Sequence, residues 1–513
     1  MLCLWQGFFY GGKMKAVVSS DQMKAFDSYT IDSLGISQDV LMERAALYAF
    51  DIVVSAAKSK NSTIVVACGP GNNGGDGLAL SRLLFFQGYN VLAFMPDGAQ
   101  KLSDGCKKQL QICRNIGMKI SSQLPEHADI VVDALFGVGL GRNIEGQYAS
   151  LVDQLNGYDA LKVALDIPSG VNSDNGQIMG MAFKADITIS FGMLKKGQLL
   201  YPGRSTCGKL LVGDIGIYPN SDAGDVDCYS IEKNDLPLLI PARSDDSNKG
   251  TYGKLLIIAG SKDMAGAAIL AAKSAYMSGV GLVNVFTCDD NRDIIMQAVP
   301  EAVLTSYNDS NYADKLEDVI KGASTVLVGP GLGQSDLSKT IVHKSIELAN
   351  KNLILDADAL NIISMDKSLI TKIDANTFIT PHMKEMSRLT QLSIDQLKGD
   401  RCKCALNYAK ENNFTVIMKD ASTVIAYPDG MTYINTSGNP GMSTAGAGDV
   451  LAGLLGGLLA QNVGSNIAAQ LAVYLHGYAG DIAVKSKGLH GLMASDIIDA
   501  LPKAMGVKNG ETK

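Results

Sequence analysis

VVACGPGNNGGDGLALSRLL, residues 65–84, joins an apolar β-branched run to five glycines within nine residues and then to a run of helical periodicity. A strand that breaks into such a loop and resumes as a helix is one βα unit of a parallel sheet. Glycine lets backbone N–H groups crowd an anion closely, and the start of the following helix adds partial positive charge. The loop is therefore a candidate anion site.

The same string contains GxGxxG at Gly69, Gly71 and Gly74, with Asp97 at the end of the next strand, so an ordinary dinucleotide-binding Rossmann site competes for it. Pro70 removes one donor, and Asn72, Asn73 and Asp76 are unusual where a pyrophosphate must pass. Outward from this loop, from Thr63 to Gly216, the runs TIVVACG, NVLAFMPD, DIVVDALFG, LKVALDIPSG, DITISFG and KLLVGDIG alternate with helical stretches. Parallel strands with crossover helices are expected. Before them, Ser37 to Ala57 has helical spacing, with Met42, Ala45, Ala49, Ile52 and Val53 suited to one buried face.

Two further strands end in carboxylates: Asp133 before the loop Gly137 to Asn143, and Asp166 before Ile167-Pro168-Ser169-Gly170. Strand ends of a parallel sheet share one edge, where ligands bind, so Asn73, Asp133, Asp166 and Ser169 are expected to converge. Each Asp taken singly reads equally well as a turn or helix cap. Oxygen donors without His or Cys suit a hard cation, alkali or alkaline-earth.

After Lys254 a second α/β series begins: KLLIIAG, GLVNVFTC, STVLVGPGLG, NLILDADAL, TFITPHM, FTVIMKD and STVIAYPDG. Both halves carry GPG after a strand, but the flanks differ, and no duplication is read. Near the end, Thr444-Ala445-Gly446-Ala447-Gly448-Asp449 precedes an apolar helix. Small residues there free backbone donors for a phosphoryl group, and the carboxylate can accept a proton from an attacking hydroxyl. A glycine-rich turn capped by Asp is the alternative, disfavoured by the neighbouring residues. No Walker lysine motif occurs. His382 follows a strand and a proline, which puts it at the sheet edge, whereas His476 in LAVYLHGYAG reads as packed within a helix. Asp356 and Asp358 suit either a nucleotide-bound magnesium or the cap of the next helix.

A length of 513 residues implies roughly two to four domains. Forty-five Lys and Arg against 52 Asp and Glu give −7, with no basic block to follow a phosphate backbone, so nucleic acid is not an expected partner. The nine cysteines are scattered, and the close pair Cys402 and Cys404 has neither zinc-knuckle nor CxxC spacing. Residues 1–13 read as a disordered extension upstream of Met14. The apolar segment Val450 to Ala460 is about half a membrane span and reads as a buried helix, so no membrane association is expected. Turn-forming YPNSDAGDVD and PARSDDSNKG bracket a linker at 226–245, between domains 14–225 and 246–505, with a tail at 506–513.

GPGNNGGDG, DALFGVGLGRN, LDIPSGV and FGMLKKG resemble, in order and spacing, the motifs of NAD(P)H-hydrate epimerases over about residues 14–220. The resemblance implies a Rossmann-like three-layer α/β/α domain. It implies binding of the hydrated cofactor by Asn72, Asn73, Gly74, Gly75 and Asp76, by Gly137, Val138, Gly139, Leu140, Gly141, Arg142 and Asn143, and by Asp166. It also implies a potassium ion on Asn73, Asp133 and Ser169, and acid/base work at C6 by Asp166 with Lys195, for which adjacent Lys196 is the alternative. GAGD at 446–449 resembles the ribokinase-like signature. KGTYGKLLIIAGSKDMAGAAILAAKSA, VGPGLG, LDADAL, TPHMKEMSRL, KDAST and NPGMSTAGAGD resemble the ADP- or ATP-dependent NAD(P)H-hydrate dehydratases over about 240–505. That implies a ribokinase-like α/β domain with Gly266, Ala267, Gly333, His382 and Asp449 on the hydrate. Lys419, Asp420, Ala421, Ser422, Thr423 and Gly448 would hold the adenine nucleotide, which brings magnesium with it. The chain has PHMKE where relatives more often have PHPGE, and TAGAGD where they have TGGSGD; His382 and Asp449 remain. Similar proteins lead us to expect a homo-oligomer, and a cytoplasmic location is expected from the absence of a targeting signal. The competing reading is a ribokinase-like small-molecule kinase with a non-catalytic nucleotide-binding or protein-interaction N-terminal module.

Overall fold

The computed structural model describes residues 14–96 and 101–506. The extension at 1–13, Asp97 and residues 507–513 of the expected tail lie outside the described residues. Two compact units divide the chain, Lys15–Cys228 and Tyr229 onward.

In the first unit, β2 (Ile64–Cys68), β3 (Val91–Phe94), β4 (Ile120–Ser121), β5 (Ile130–Ala134), β6 (Leu161–Leu165), β7 (Ile187–Phe191) and β9 (Lys209–Gly213) form a seven-stranded sheet. Its order is β4-β3-β2-β5-β6-β7-β9 and every pairing is parallel. Strand alternation explains why both faces are covered. Val65, Ala67 and Val131 pack with Leu151, Val152 and Leu155 of a helix at Gly146–Gly157. On the opposite face, α3 (Asn72–Phe86) comes so close that a Cβ on Gly77 would lie 2.6 Å from Ala134 Cβ and 3.0 Å from Cys68 Sγ. Two elements precede it: α1 (Ser20–Ser28), started by a capping box between Ser19 and Gln22, and α2 (Gln38–Ala56). The buried face of α2 is Leu41, Met42, Ala45, Ala46, Ala49 and Val53; Ile52, expected on it, is half-buried at its margin. Three short strands of this unit escaped the sequence reading: β4, β1 (Lys15–Val18) and β8 (Leu194–Lys195), the last two pairing in parallel with Val18 opposite Lys195.

A short strand, β10 (Cys228–Ser230), spans the division between the units. The second unit contains β11 (Lys254–Ile258), β12 (Leu282–Cys288), β13 (Val303–Tyr307), β14 (Thr325–Val328), β15 (Asn352–Leu355), β16 (Thr377–Ile379), β17 (Thr415–Met418), β18 (Val424–Ala426) and β19 (Thr432–Ile434). They run β13-β12-β11-β14-β15-β16-β17-β18-β19, parallel as far as β17 and antiparallel from there. One face is covered by α5 (Ala265–Met277) and α8 (Ala447–Ala460), whose residues Val450–Ala460 are all buried. Glycines set that packing: a Cβ on Gly453 would stand 2.1 Å from the Ala271 carbonyl oxygen, and one on Gly457 2.1 Å from Ser278 Oγ. Ser274 Oγ donates to the carbonyl of Val450 at 2.5 Å, fixing the two helices in register.

Of the stretch 226–245, expected as a linker, residues 226–228 end the first unit and 229–245 are built into the second. Ile231 and Leu236 are fully buried in its core, and Leu236–Leu239 is helical. Its turn-forming composition hid a few apolar anchors. Among the described residues, no helix is long and apolar enough to cross a membrane.

Candidate active sites

Each sheet has one point where strand order reverses, between β2 and β5 and between β11 and β14. Connections leaving adjacent strands in opposite directions open a crevice at their C-terminal ends. The sequence motifs lie at these two crevices.

At the first, Asp133 ends β5 and Asn73 opens α3. Asp133 is fully buried; Ser169 donates to it twice, from N at 2.8 Å and from Oγ at 2.7 Å, and Leu135 N adds a third bond at 3.1 Å. Burial pushes its carboxyl up to about 6 against those hydrogen bonds. Asn73 is buried, its Nδ2 donating to the Leu165 carbonyl at 3.3 Å, while Oδ1 has no partner among the described residues. An orphaned buried acceptor beside a buried carboxylate and a hydroxyl is an all-oxygen set that fits a hard cation.

Beyond β6, Asp166 takes the left-handed backbone conformation, φ 65, and is held there by Gln198 Nε2 on its carbonyl at 2.6 Å. Lys195, wholly buried on β8, places Nζ 2.5 Å from Asp166 Oδ1 and also donates to Ser190 Oγ and the Phe191 carbonyl. Lys196 turns elsewhere, to Asp227 at 3.0 Å. The other carboxylate oxygen of Asp166 accepts from Val138 N at 3.4 Å. A Cβ on Gly137 would meet that same Oδ2 at 3.1 Å and the Asn73 side chain at 3.4 Å. Gly137 thus leaves open the space that Asp166 and Asn73 border. Two more carboxylates are coupled by charge to Asp166. Burial, then the charges of Asp166 and Asp27, hold Asp76 well above the usual range; burial, then Asp166, raise Asp27. Arg142 and Asn143, at the loop's far end, are exposed, and Gly139 and Gly141 have nothing within 4 Å of a built Cβ.

At the second crevice, Asp449 lies in the first turn of α8, after Gly446 at φ 88. Burial, then the charge of Asp356, push its carboxyl up to about 6, with Lys419 opposing. Lys419 Nζ is 2.8 Å from Asp356 Oδ1 and 3.3 Å from where a Gly448 Cβ would be. Burial pulls this ammonium down, but Asp356, Glu385 and Asp449 together leave it raised and charged. Asp356 is thus committed to an ion pair and to Thr380 Oγ1 at 2.7 Å, and Asp358 accepts from Gly333 N at 2.8 Å. The Gly331 loop rests on Ala267 near the start of α5, where Gly266 has open space, so Gly266, Ala267 and Gly333 come together. Asp420 is tied to Arg401 at 2.7 Å, and Ser422 and Thr423 are buried.

His382 caps the helix Met383–Thr390: Nδ1 accepts from Lys384 N and Glu385 N, both at 3.1 Å. Burial, then Lys419, lower its basicity, and Nε2 lies 3.4 Å from Glu385 Oε1. Glu385, whose Oε2 accepts from His382 N at 2.8 Å, is pushed by burial up to about 7. His476 does pack within a helix, Ser465–Gly491, yet its surroundings include Ala447 at the start of α8. Burial pushes it down to about 4, and its Nε2 has no partner among the described residues. Spacing along one helix gave no sign of that neighbour.

Residues 38–197 match the family model described as YjeF-related protein N-terminus, and residues 255–503 that described as NAD(P)H-hydrate dehydratase. A bifunctional NAD(P)H-hydrate repair enzyme of Thermofilum pendens is 37% identical over 506 residues, covering 95% of this chain and 96% of its own. The protein so described in Escherichia coli K12 is 32% identical over 488 residues, 94% of this chain and 93% of its own. Among solved structures, a ribokinase-like superfamily protein of Enterococcus faecalis V583 is 29% identical, covering 56% of this chain and 98% of its own with a TM-score of 0.51.

Proposed function

The chain belongs to the family of bifunctional NAD(P)H-hydrate repair enzymes, and from that premise we infer how its residues divide the work. It is an enzyme of two activities. One interconverts the R and S hydrates of NADH and NADPH at C6, and the other dehydrates the S hydrate back to NAD(P)H at the expense of ADP or ATP. We assign the first to the domain at 14–225 and the second to that at 246–505.

The observation that carries the assignment is the pair of unlike acid/base groups at the two crevices. Asp166 stands against a buried lysine, and Asp449 stands at a glycine-lined helix start. In the epimerase site, Asp166 moves a proton to and from the C6 oxygen, and Lys195 holds its charge in place. Asn72 to Asp76 and Gly137 to Asn143 bind the hydrate. Asn73, Asp133 and Ser169 hold a potassium ion, which supplies positive charge to offset the burial of Asp133. In the dehydratase site, Gly266, Ala267, Gly333 and His382 bind the hydrate. Asp449 takes the proton of the C6 hydroxyl as that oxygen attacks the nucleotide's terminal phosphorus. The P–O bond to the leaving nucleotide breaks, and phosphate replaces hydroxide as the group on C6. The ring nitrogen's electron pair then expels phosphate, forming an N1=C6 double bond, and loss of the proton on C5 returns that electron pair to N1 and restores the C5=C6 double bond of NAD(P)H. The backbone N–H of Gly448, in the first turn of α8, faces the charge that develops on the phosphoryl oxygens. Lys419 and the segment Asp420 to Thr423 hold the nucleotide, which enters with magnesium.

The test uses the purified chain with mixed NADH hydrate epimers, potassium, magnesium and ADP or ATP, following recovery of dihydronicotinamide absorbance. Full recovery that depends on nucleotide and outruns spontaneous epimerisation is expected. Recovery that stalls at the reactive epimer removes the epimerase assignment. A stable phosphorylated product without NADH would make the chain a small-molecule kinase.

A further inference from the structure

The ion pair of Lys195 and Asp166 leaves a chemical task undone. Inverting C6 through loss and return of water needs a proton delivered to the departing hydroxyl and another removed from the arriving water. A carboxylate locked against a lysine suits the second task, and the first calls for a carboxyl that carries its proton.

Asp27 meets that need by position. It lies in the last turn of α1, directly before a π-helical turn at Tyr29–Ser33, a distortion found often at functional sites. Three ties seat α1 on the Lys195 edge. β1 runs beside β8 with Val18 opposite Lys195; Ser20 donates to Asp174 from N at 2.6 Å and from Oγ at 2.9 Å; Met23 Cε lies 3.3 Å from where Gly192, in the turn leading to Lys195, would carry a Cβ. Half-buried, the Asp27 carboxyl makes no hydrogen bond or ion pair among the described residues. Asp27 feels the negative charge of Asp166, itself paired with Lys195, and Asp76 of α3 feels the charges of both. Two carboxylates with no cation of their own therefore border one that has Lys195.

We propose that Asp27 is a second catalytic acid/base of epimerisation, acting with Asp166 on the oxygen at C6. The proposal rests on the reading of the first unit as the epimerase. In one direction Asp27 gives its proton to the C6 hydroxyl. The C6–O bond breaks with its electrons on the departing water, and the N1 lone pair forms an N1=C6 double bond. Water then adds from the opposite side: its oxygen bonds to C6, the π pair returns to N1, and its surplus proton passes to Asp166. Asp27 ends ionised and Asp166 protonated, which is the state that runs the reverse inversion; exchange with solvent resets either form.

The full chain is assayed without nucleotide for interconversion of separated R and S hydrates, in ordinary water and in 18O-labelled water. In the unaltered chain each inversion should place solvent oxygen on C6. Asp27→Asn should slow inversion by about 100-fold or more and erase one limb of the pH profile, while equilibrium titration with the hydrate still shows binding. Asp27→Glu should recover part of the rate with that limb displaced. Should Asp27→Asn lose binding altogether, Asp27→Glu decides, and an unmoved pH profile counts against the proposal. Inversion by Asp27→Asn within twofold of the unaltered chain overturns it, as does retention of the original oxygen. Failure of the underlying reading looks different: the unaltered chain does not hasten inversion at all, or Asp166→Asn runs at full rate.

Discussion

Lys195 Nζ stands 2.5 Å from Oδ1 of Asp166, and Asp166 holds a left-handed backbone, φ 65, to receive it. A wholly buried ammonium needs a partner, and a non-glycine residue in this conformation is strained by roughly 1–3 kcal/mol. Both costs fall on one pair, at the crevice where the sheet's strand order reverses.

Replacing Lys195 with Met should leave the Asp166 carboxylate uncompensated and slow epimerisation by about 100-fold or more. Lys196→Met, which removes the contact to Asp227 and leaves the Lys195–Asp166 pair in place, should change the rate by less than about threefold, in the range of a part-exposed ion pair. Chromatographic separation of the R and S hydrates over time measures both.

Gly137→Ala puts a methyl 3.1 Å from Asp166 Oδ2 and should raise the KM for epimerisation without weakening folding, since Gly137 does not have a positive φ. Gly139→Ala, with nothing within 4 Å of the new Cβ, should behave as the unaltered chain. Gly74→Ala would meet the Gly69 carbonyl oxygen at 1.8 Å and should lower the Tm by several degrees or more. Thermal unfolding beside steady-state kinetics distinguishes the three.

Asp449→Asn should abolish nucleotide-dependent dehydration and spare epimerisation. As a base, Asp449 works ionised, and with its carboxyl raised to about 6 it takes up a proton as pH falls through that value. The dehydration rate should be flat above about pH 7 and fall tenfold per unit below about pH 5; an ordinary carboxylate would keep its plateau a further two units down. The sign for stability is opposite. The folded chain takes this proton more readily than the unfolded one, so Asp449 adds stability as the pH falls from 6 to 4.

Asn73→Leu removes the orphaned buried Oδ1. The variant should lose any rise in Tm that potassium gives the unaltered chain, and its epimerase activity should no longer respond to potassium. Melting curves in potassium and in tetramethylammonium chloride provide the comparison; an equal potassium response in both proteins would remove Asn73 from the ion's ligands.

The parallel strands and the two glycine-lined loops were legible because fully buried strands read as unbroken apolar runs bounded by turn formers. Asn73, Asp133, Asp166 and Ser169 could be grouped since parallel strands bring their ends to one edge, and the structure gathers them there. Lys195 and Lys196 were not separable, because the two-residue strand β8 that buries one and releases the other is too short to show alternation. Asp27 was out of reach for a similar reason: β1 and β8, which seat its helix, together have six residues, four and two. His382 was placed correctly at the sheet edge, but its cap on the next helix depends on ring orientation. The approach of His476 to Ala447 is a tertiary contact without a local pattern.

The glycines of α8 have a mechanical consequence. With Gly453 and Gly457 against the Ala271 carbonyl and Ser278, and Ser274 clasping the Val450 carbonyl, the helix can neither roll nor slide along its neighbour. Its first turn, with Ala447, Gly448 and Asp449, is therefore anchored before any substrate arrives. The donors need no reordering at the moment of reaction. Substitutions one to two turns from the chemistry, where no ligand touches, should then shift this helix and misplace Asp449, so that dehydratase activity and stability fall together.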